Sequence, residues 1–121
     1  MSVVDLAREA AGRPDLWSPR VVADVSGTLI KVARLDGAFV WHDHAAEDEA
    51  FLVLQGTLTI RYEDRADVTL GAGELHVVPA GVRHCPVTHG ECLVALIEPA
   101  STAHTGDVVS ERTRSLKEQI G

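Results

Sequence analysis

From Val21 onward, short apolar-rich runs are separated by glycines and acidic turns. The runs are Val21–Val25, Thr28–Leu35, Ala38–His42, Glu49–Gln55, Thr57–Glu63, Asp67–Leu70, Leu75–Val78 and Cys92–Ile97. Between them stand Ser26-Gly27, Asp36-Gly37, Gln55-Gly56, Glu63-Asp64, Gly71-Ala72-Gly73, Pro79-Ala80-Gly81 and His89-Gly90, all residue types that turns favour. Many short strands at this spacing predict a β-sandwich or barrel rather than a βαβ fold. Upstream, Val3, Leu6, Ala7 and Ala10 fall near helical spacing, so residues 3–12 read as a short amphipathic helix ended by Gly12. Pro14 and Pro19 mark an irregular link in which Trp17 plugs apolar surface. From Ser101 the chain turns polar, and Ser110–Ile120 reads as a frayed helix or an unfixed tail. The expected organisation is a helix and link over 1–20, a barrel over 21–100 and a tail over 101–121.

Size and charge narrow the function classes. A chain of 121 residues is one domain with room for a core. Its formal charge of −7 disfavours phosphate backbones and anionic lipid, so neither nucleic acid nor a membrane surface is an expected partner. No apolar run approaches the length of a membrane span, and residues 1–9 mix charged and apolar positions unlike a signal peptide; the expected location is cytoplasmic. Cys85 and Cys92 are too few for a disulfide scaffold. If His89-Gly90 is a two-residue hairpin turn, Cys85 faces Val94 and the two cysteines do not pair.

The chemistry lies in the histidines, of which there are six: His42, His44, His76, His84, His89 and His104. On an extended strand, residues i and i+2 share a face, so His42 and His44 project together. The acidic cluster Glu47-Asp48-Glu49 follows closely, and a closed sheet can carry the distant His84 to the same place. Three neutral imidazoles and a carboxylate suit Fe, Mn, Ni or Zn. His76 reads either as pocket lining or as a satisfied interior residue, His104 as a weaker candidate from the tail, and His89 as solvated. Alternation along Ala38–His42 puts Phe39 and Trp41 outside the barrel. Neither a Ser-His-Asp nor a Cys-His constellation is evident, nor a Gly-rich phosphate loop. No catalytic residue and no organic cofactor are assigned.

These residues resemble the two motifs of the cupin superfamily. The first cupin motif reads Gly, five residues, His-x-His, three or four residues, Glu, six residues, Gly; here it is Gly37, then His42-Asp43-His44, then Glu49, then Gly56. The second reads Gly, five residues, Pro-x-Gly, two residues, His, three residues, Asn; here it is Gly73, Pro79-Ala80-Gly81, His84 and Thr88. Gly37 stands one residue closer to the histidines than the pattern asks, which predicts a shortened turn, and Thr88 replaces the final Asn. Trp41-His42-Asp43-His44 and Glu98-Pro99 are similar to small mannose-6-phosphate-isomerase-like cupins. The resemblance implies an all-β, cupin-type double-stranded β-helix (a jelly-roll barrel) with a short N-terminal helix and a polar C-terminal tail. It implies one divalent metal ion on His42, His44, Glu49 and His84, and a homodimer. Among the acidic residues, Glu49 alone satisfies the run to Gly56, with Glu47 and Asp48 left as solvated turn charges.

The ligand set leaves several functions open. A closed tetrahedral site would be structural, whereas an octahedral ion would keep two positions for a small molecule. The main expectation is binding or conversion of a small oxygenated molecule, by an oxygenase or isomerase; the alternative is a non-catalytic ligand-binding or sensing barrel with the metal as anchor. Val40, Phe51 and Val53 predict a largely apolar pocket wall, and the lack of a basic cluster on the inward face weighs against a phosphorylated sugar.

Overall fold

The computed structural model describes residues 2–102 and 116–120. Helix α1 (Leu6–Ala11) is capped by Asp5, whose carboxylate accepts the backbone N–H of Arg8 at 3.1 Å. Seven strands follow: β1 (Arg20–Val25), β2 (Thr28–Ala38), β3 (Glu49–Gln55), β4 (Leu58–Tyr62), β5 (Val68–Leu70), β6 (Leu75–Val78) and β7 (His84–Pro99). A short helix, α2 (Leu116–Ile120), packs near β1. The pairing is antiparallel throughout, in the order β1-β2-β7-β3-β6, with β4 joining β7 to β5. The described residues thus form the predicted all-β barrel with its N-terminal helix. None of their helices is long and apolar enough to cross a membrane.

The long strand β7 organises the two layers. Its second half, Leu93–Ile97, lies between β2 and β3; its first half, near Cys85–Val87, lies between the end of β2 and β4. The change of layer happens at a bulge. Leu35 pairs with Cys92 and Gly37 with Thr88, so β7 carries extra residues opposite a short stretch of β2. This corrects two sequence expectations. Asp36-Gly37 is no turn, and His89-Gly90 is no hairpin: their glycines, at φ 89° and 103°, serve a bulge within a continuous ladder. Glycine punctuates both turns and bulges because both need positive φ, so the sequence signal alone does not separate them. Cys85 consequently pairs with Arg61 rather than facing Val94, and both cysteines are free and buried. Thr88 is a buried strand residue whose hydroxyl accepts Gly37 N–H at 3.1 Å and donates to Gly90 C=O at 2.8 Å, tying the bulge together.

Alternation fills the space between the layers. Ala33 and Leu35 of β2, Phe51 and Val53 of β3, Leu58 and Ile60 of β4, and Cys92 and Val94 of β7 meet in one core. On the outer face, Ala10 of α1 packs on Val32 and Leu93, which shields that part of the sheet.

Candidate metal centre

His42 and His44 do not lie on a strand, because β2 ends at Ala38. Past the bulge the alternation assumed over Ala38–His42 no longer applies. What fixes the segment is a single antiparallel bridge: His42 N–H donates to His84 C=O at 3.0 Å, and His84 N–H donates to His42 C=O at 2.9 Å. A second tie joins the loops that carry His44 and His84. Gly81 N–H donates to His44 C=O at 2.8 Å, and Ala80 N–H donates to the Asp48 carboxylate at 2.8 Å. Asp48 is exposed, as expected of a turn charge, and it also clamps the two loops together.

The structure brings together His42, His44, Glu49 and His84, all buried, with one donor atom from each lying within 4.8 Å of the others. The Glu49 carboxylate oxygen is 3.5 Å from His44 Nε2 and 3.7 Å from His84 Nε2. Donors that share one ion at bonds of about 2.1 Å stand roughly 3–4 Å apart, so the cluster needs only a slight contraction to hold one. Tautomers support the same fit. The Nδ1 of His42 lies 2.9 Å from Val40 C=O, and that of His84 lies 2.9 Å from Val82 C=O. A carbonyl only accepts, so each Nδ1 carries the proton and each Nε2 keeps its lone pair for the centre. His84 Nε2 and both ring nitrogens of His44 are buried without a hydrogen-bond partner among the described residues, which suits ligand atoms.

Electrostatics divides the roles. Burial, helped by the neighbouring His84, depresses His42 to about 4, so its ring stays neutral. For His44, burial opposes the charged form, but the Glu49 carboxylate 3.5 Å away outweighs it and raises the value. Burial also works against an ionised Glu49, yet the polar groups packed around it, Glu98, His44 and His84, hold its carboxyl well below the usual range. Glu98 goes the other way: burial and the Glu49 charge push it well above the ordinary value, against the pull of Lys31. Glu49 is thus the anion of the pair.

A small, partly open pocket adjoins this cluster, with His42 and Glu49 as its polar lining. Its apolar walls include Trp17, Leu35, Phe39, Phe51 and Leu96. Phe51 lines it as expected; Val53 is buried in the core instead, and Val40 is only half-buried and not part of the wall. Phe39 was expected outside the barrel but faces inward: it stacks on Trp17 at 4.8 Å and meets the His42 ring edge-on at 5.5 Å. Trp41 does lie outside, with the Arg61 guanidinium 5.5 Å from its ring. Trp17 is held at φ 56°, a costly conformation for a bulky residue, by its N–H on Arg34 C=O and its indole N–H on Asp36 C=O, both at 2.9 Å. It plugs apolar surface as the link predicted, and the surface is the cavity.

His76 stands apart from the cluster. Its Nε2 is 2.6 Å from the Tyr62 hydroxyl, so it is a satisfied residue of β6. His89 is exposed, and His104 lies outside the described residues. Sequence reasoning missed Lys31 and Glu98, an ion pair at 2.9 Å that is almost wholly buried beside Glu49. The signal was present: Leu29, Lys31, Ala33 and Leu35 alternate on one face of β2, which puts the lysine among core residues.

Comparison with known proteins agrees with this geometry. A family model described as a cupin domain matches residues 32–98, more than half of the chain, which therefore belongs to the cupin domain family. A cupin-2 domain containing protein from Shewanella frigidimarina NCIMB 400 is 41% identical and superposes with a TM-score of 0.76 over 80% of this chain and 94% of that one. The uncharacterized protein YdbB of Bacillus subtilis (strain 168) is 32% identical over 63 residues, which span 52% of this chain and 56% of YdbB. The hydroquinone 1,2-dioxygenase of Sphingomonas sp. TTNP3, solved in complex with 4-nitrophenol, shares the fold at 23% identity and a TM-score of 0.74 over 83% of this chain and 33% of its own.

Proposed function

We propose that His42, His44, Glu49 and His84 bind one divalent ion of the Fe, Mn, Ni and Zn set, and that the centre holds and transforms a small oxygenated molecule in the adjoining cavity. The observation that carries this reading is the pair of Nδ1-anchored imidazoles whose free Nε2 atoms point, with His44, at a buried carboxylate. When bound, the ion supplies Lewis acidity or, if it is redox-active, electron transfer. The chain's own residues do the rest. His42 and Glu49 mark where the polar end of the molecule sits, and Phe39, Phe51 and Trp17 pack its body and keep water out. Among the described residues no Arg or Lys lines the pocket, which argues against a phosphorylated substrate. The fold accommodates a phenol in the dioxygenase crystal, which supports cargo of that size without transferring the reaction.

The test is metal content. Elemental analysis should give one ion per chain for the parent and near none for His42→Ala; equal contents would end the assignment. Turnover is read by oxygen uptake and product analysis on the loaded protein with small phenols and carboxylates. Ligands that quench Trp17 fluorescence yet return unchanged would favour the non-catalytic binding barrel. The reading further places the protein in the cytoplasm, as a homodimer joined through the outer face of β3 and β6. There Leu75 and Val77 are 53% and 45% exposed on the terminal strand of the sheet.

A further inference from the structure

We infer that the link between α1 and β1 is a strap across the pocket, with Trp17 as its plug and Arg34 as its latch, and that a ligand enters by lifting it; this rests on the reading that the pocket holds the ligand, not on the identity of the ion. Residues 12–19 form neither helix nor strand. Of the described lining residues, only Trp17 and Pro19 come from this link. The others lie on β2, β3 or β7 or, like Phe39 and His42, are tied to β7 by backbone hydrogen bonds to Pro86 and His84. The pocket has room for only a few waters, less than a benzene ring needs, so a ring enters only if a wall yields. The barrel walls are held by ladders on both sides of β7, and the strap is not.

Few bonds hold the strap, and most of them come from one residue. The Arg34 guanidinium donates to Arg13 C=O at 3.1 Å and to Pro14 C=O at 3.2 Å, and the Arg34 backbone C=O accepts Trp17 N–H at 2.9 Å. Glu91 on β7 steadies that guanidinium at 3.2 Å. Within the strap, the Arg13 side chain donates to Ser18 C=O at 3.0 Å and to the Ser18 hydroxyl at 3.3 Å, which closes Arg13–Ser18 into a loop that moves as a unit. The plug is also strained. Trp17 keeps its φ of 56° only while Arg34 and Asp36 hold its two N–H groups, so relief of that strain offsets part of the packing on Phe39 that opening gives up. A segment held this way opens locally at lower cost than the whole fold, and such a gate limits how fast a ligand enters.

The test uses the full chain in the presence of Zn(II) and has two arms. Without ligand, hydrogen exchange followed by NMR is expected to show the Trp17 backbone and indole N–H at least tenfold less protected than the Val94 amide on the central strand β7. Arg34→Met is expected to speed the Trp17 exchange about fivefold or more. With ligand, stopped-flow binding of 4-nitrophenol, read by its own absorbance, is expected to level off at high concentration in the parent, because opening becomes limiting. Arg34→Met should raise that ceiling about fivefold, and Trp17→Ala should remove it; should Trp17→Ala fail to fold, Trp17→Leu takes its place. Binding by the Trp17 variant alone also supports the gate. Protection of Trp17 equal to that of Val94, or one concentration-proportional rate shared by all three proteins, overturns the gate and leaves the pocket reading standing. If neither the parent nor the Trp17 variant binds 4-nitrophenol, the pocket reading itself fails and this inference with it.

Discussion

A buried polar side chain must declare its partner, and at the residue scale that requirement sorts the histidines. His42 and His84 spend Nδ1 on backbone carbonyls two residues upstream and keep Nε2 for the centre, whereas His76 spends its Nε2 on Tyr62. The first two were legible as candidates from their spacing; the third was decided by a tyrosine on another strand. The cysteines follow the same logic without a partner that would activate them. Burial pushes the Cys92 thiol up to about 11 and raises Cys85 as well. Thiolate, the reactive form, is therefore scarce at pH 8. An aromatic disulfide reagent at that pH should leave the native chain almost unlabelled over minutes and titrate two thiols after denaturation; fast native labelling of either would contradict their burial.

Among the elements, the glycines that matter are those with both a positive φ and a neighbour. Gly56 follows β3 at φ 91°, and a Cβ there would stand 2.8 Å from Glu91 C=O and 3.1 Å from Cys92 Cα. Both neighbours are backbone, which cannot move aside cheaply. Gly56→Ala should cost about 2–3 kcal/mol from strain and crowding together, lowering Tm by roughly 10 °C or more. Gly81 differs. Its φ is 77°, but a Cβ would meet nothing within 4 Å, so Gly81→Ala should cost only about 1 kcal/mol. Its measurable effect should fall on metal affinity, because the Gly81 N–H holds the His44 carbonyl. Thermal melts and metal titrations of the two variants separate the effects; equal melting losses would show that the Gly56 contact is not a constraint.

For the whole molecule the open question is assembly. The outer sheet face is covered near α1 by Ala10, Val32 and Leu93, whereas Leu75 and Val77 on β6 remain uncovered among the described residues. An exposed apolar patch on a terminal strand suits a second copy. Light scattering should give twice the chain mass of 13.0 kDa, and Leu75→Asp should return it to the single-chain value without lowering Tm. A single-chain mass for the parent would remove the dimer.

The sequence by itself determined the strand-rich class, the extents of Glu49–Gln55 and Leu75–Val78, and the residues that cluster, because alternation and motif spacing are local properties. Tertiary structure decided the rest. Whether a glycine turns the chain or bulges it depends on what lies across the ladder, which is why Gly37 and Gly90 misled in opposite strands. The direction of Phe39 depended on where β2 stopped pairing, and the place of Lys31 on a glutamate nearly seventy positions away. Charges separated that far along a chain meet only through strand register, and no local pattern records register.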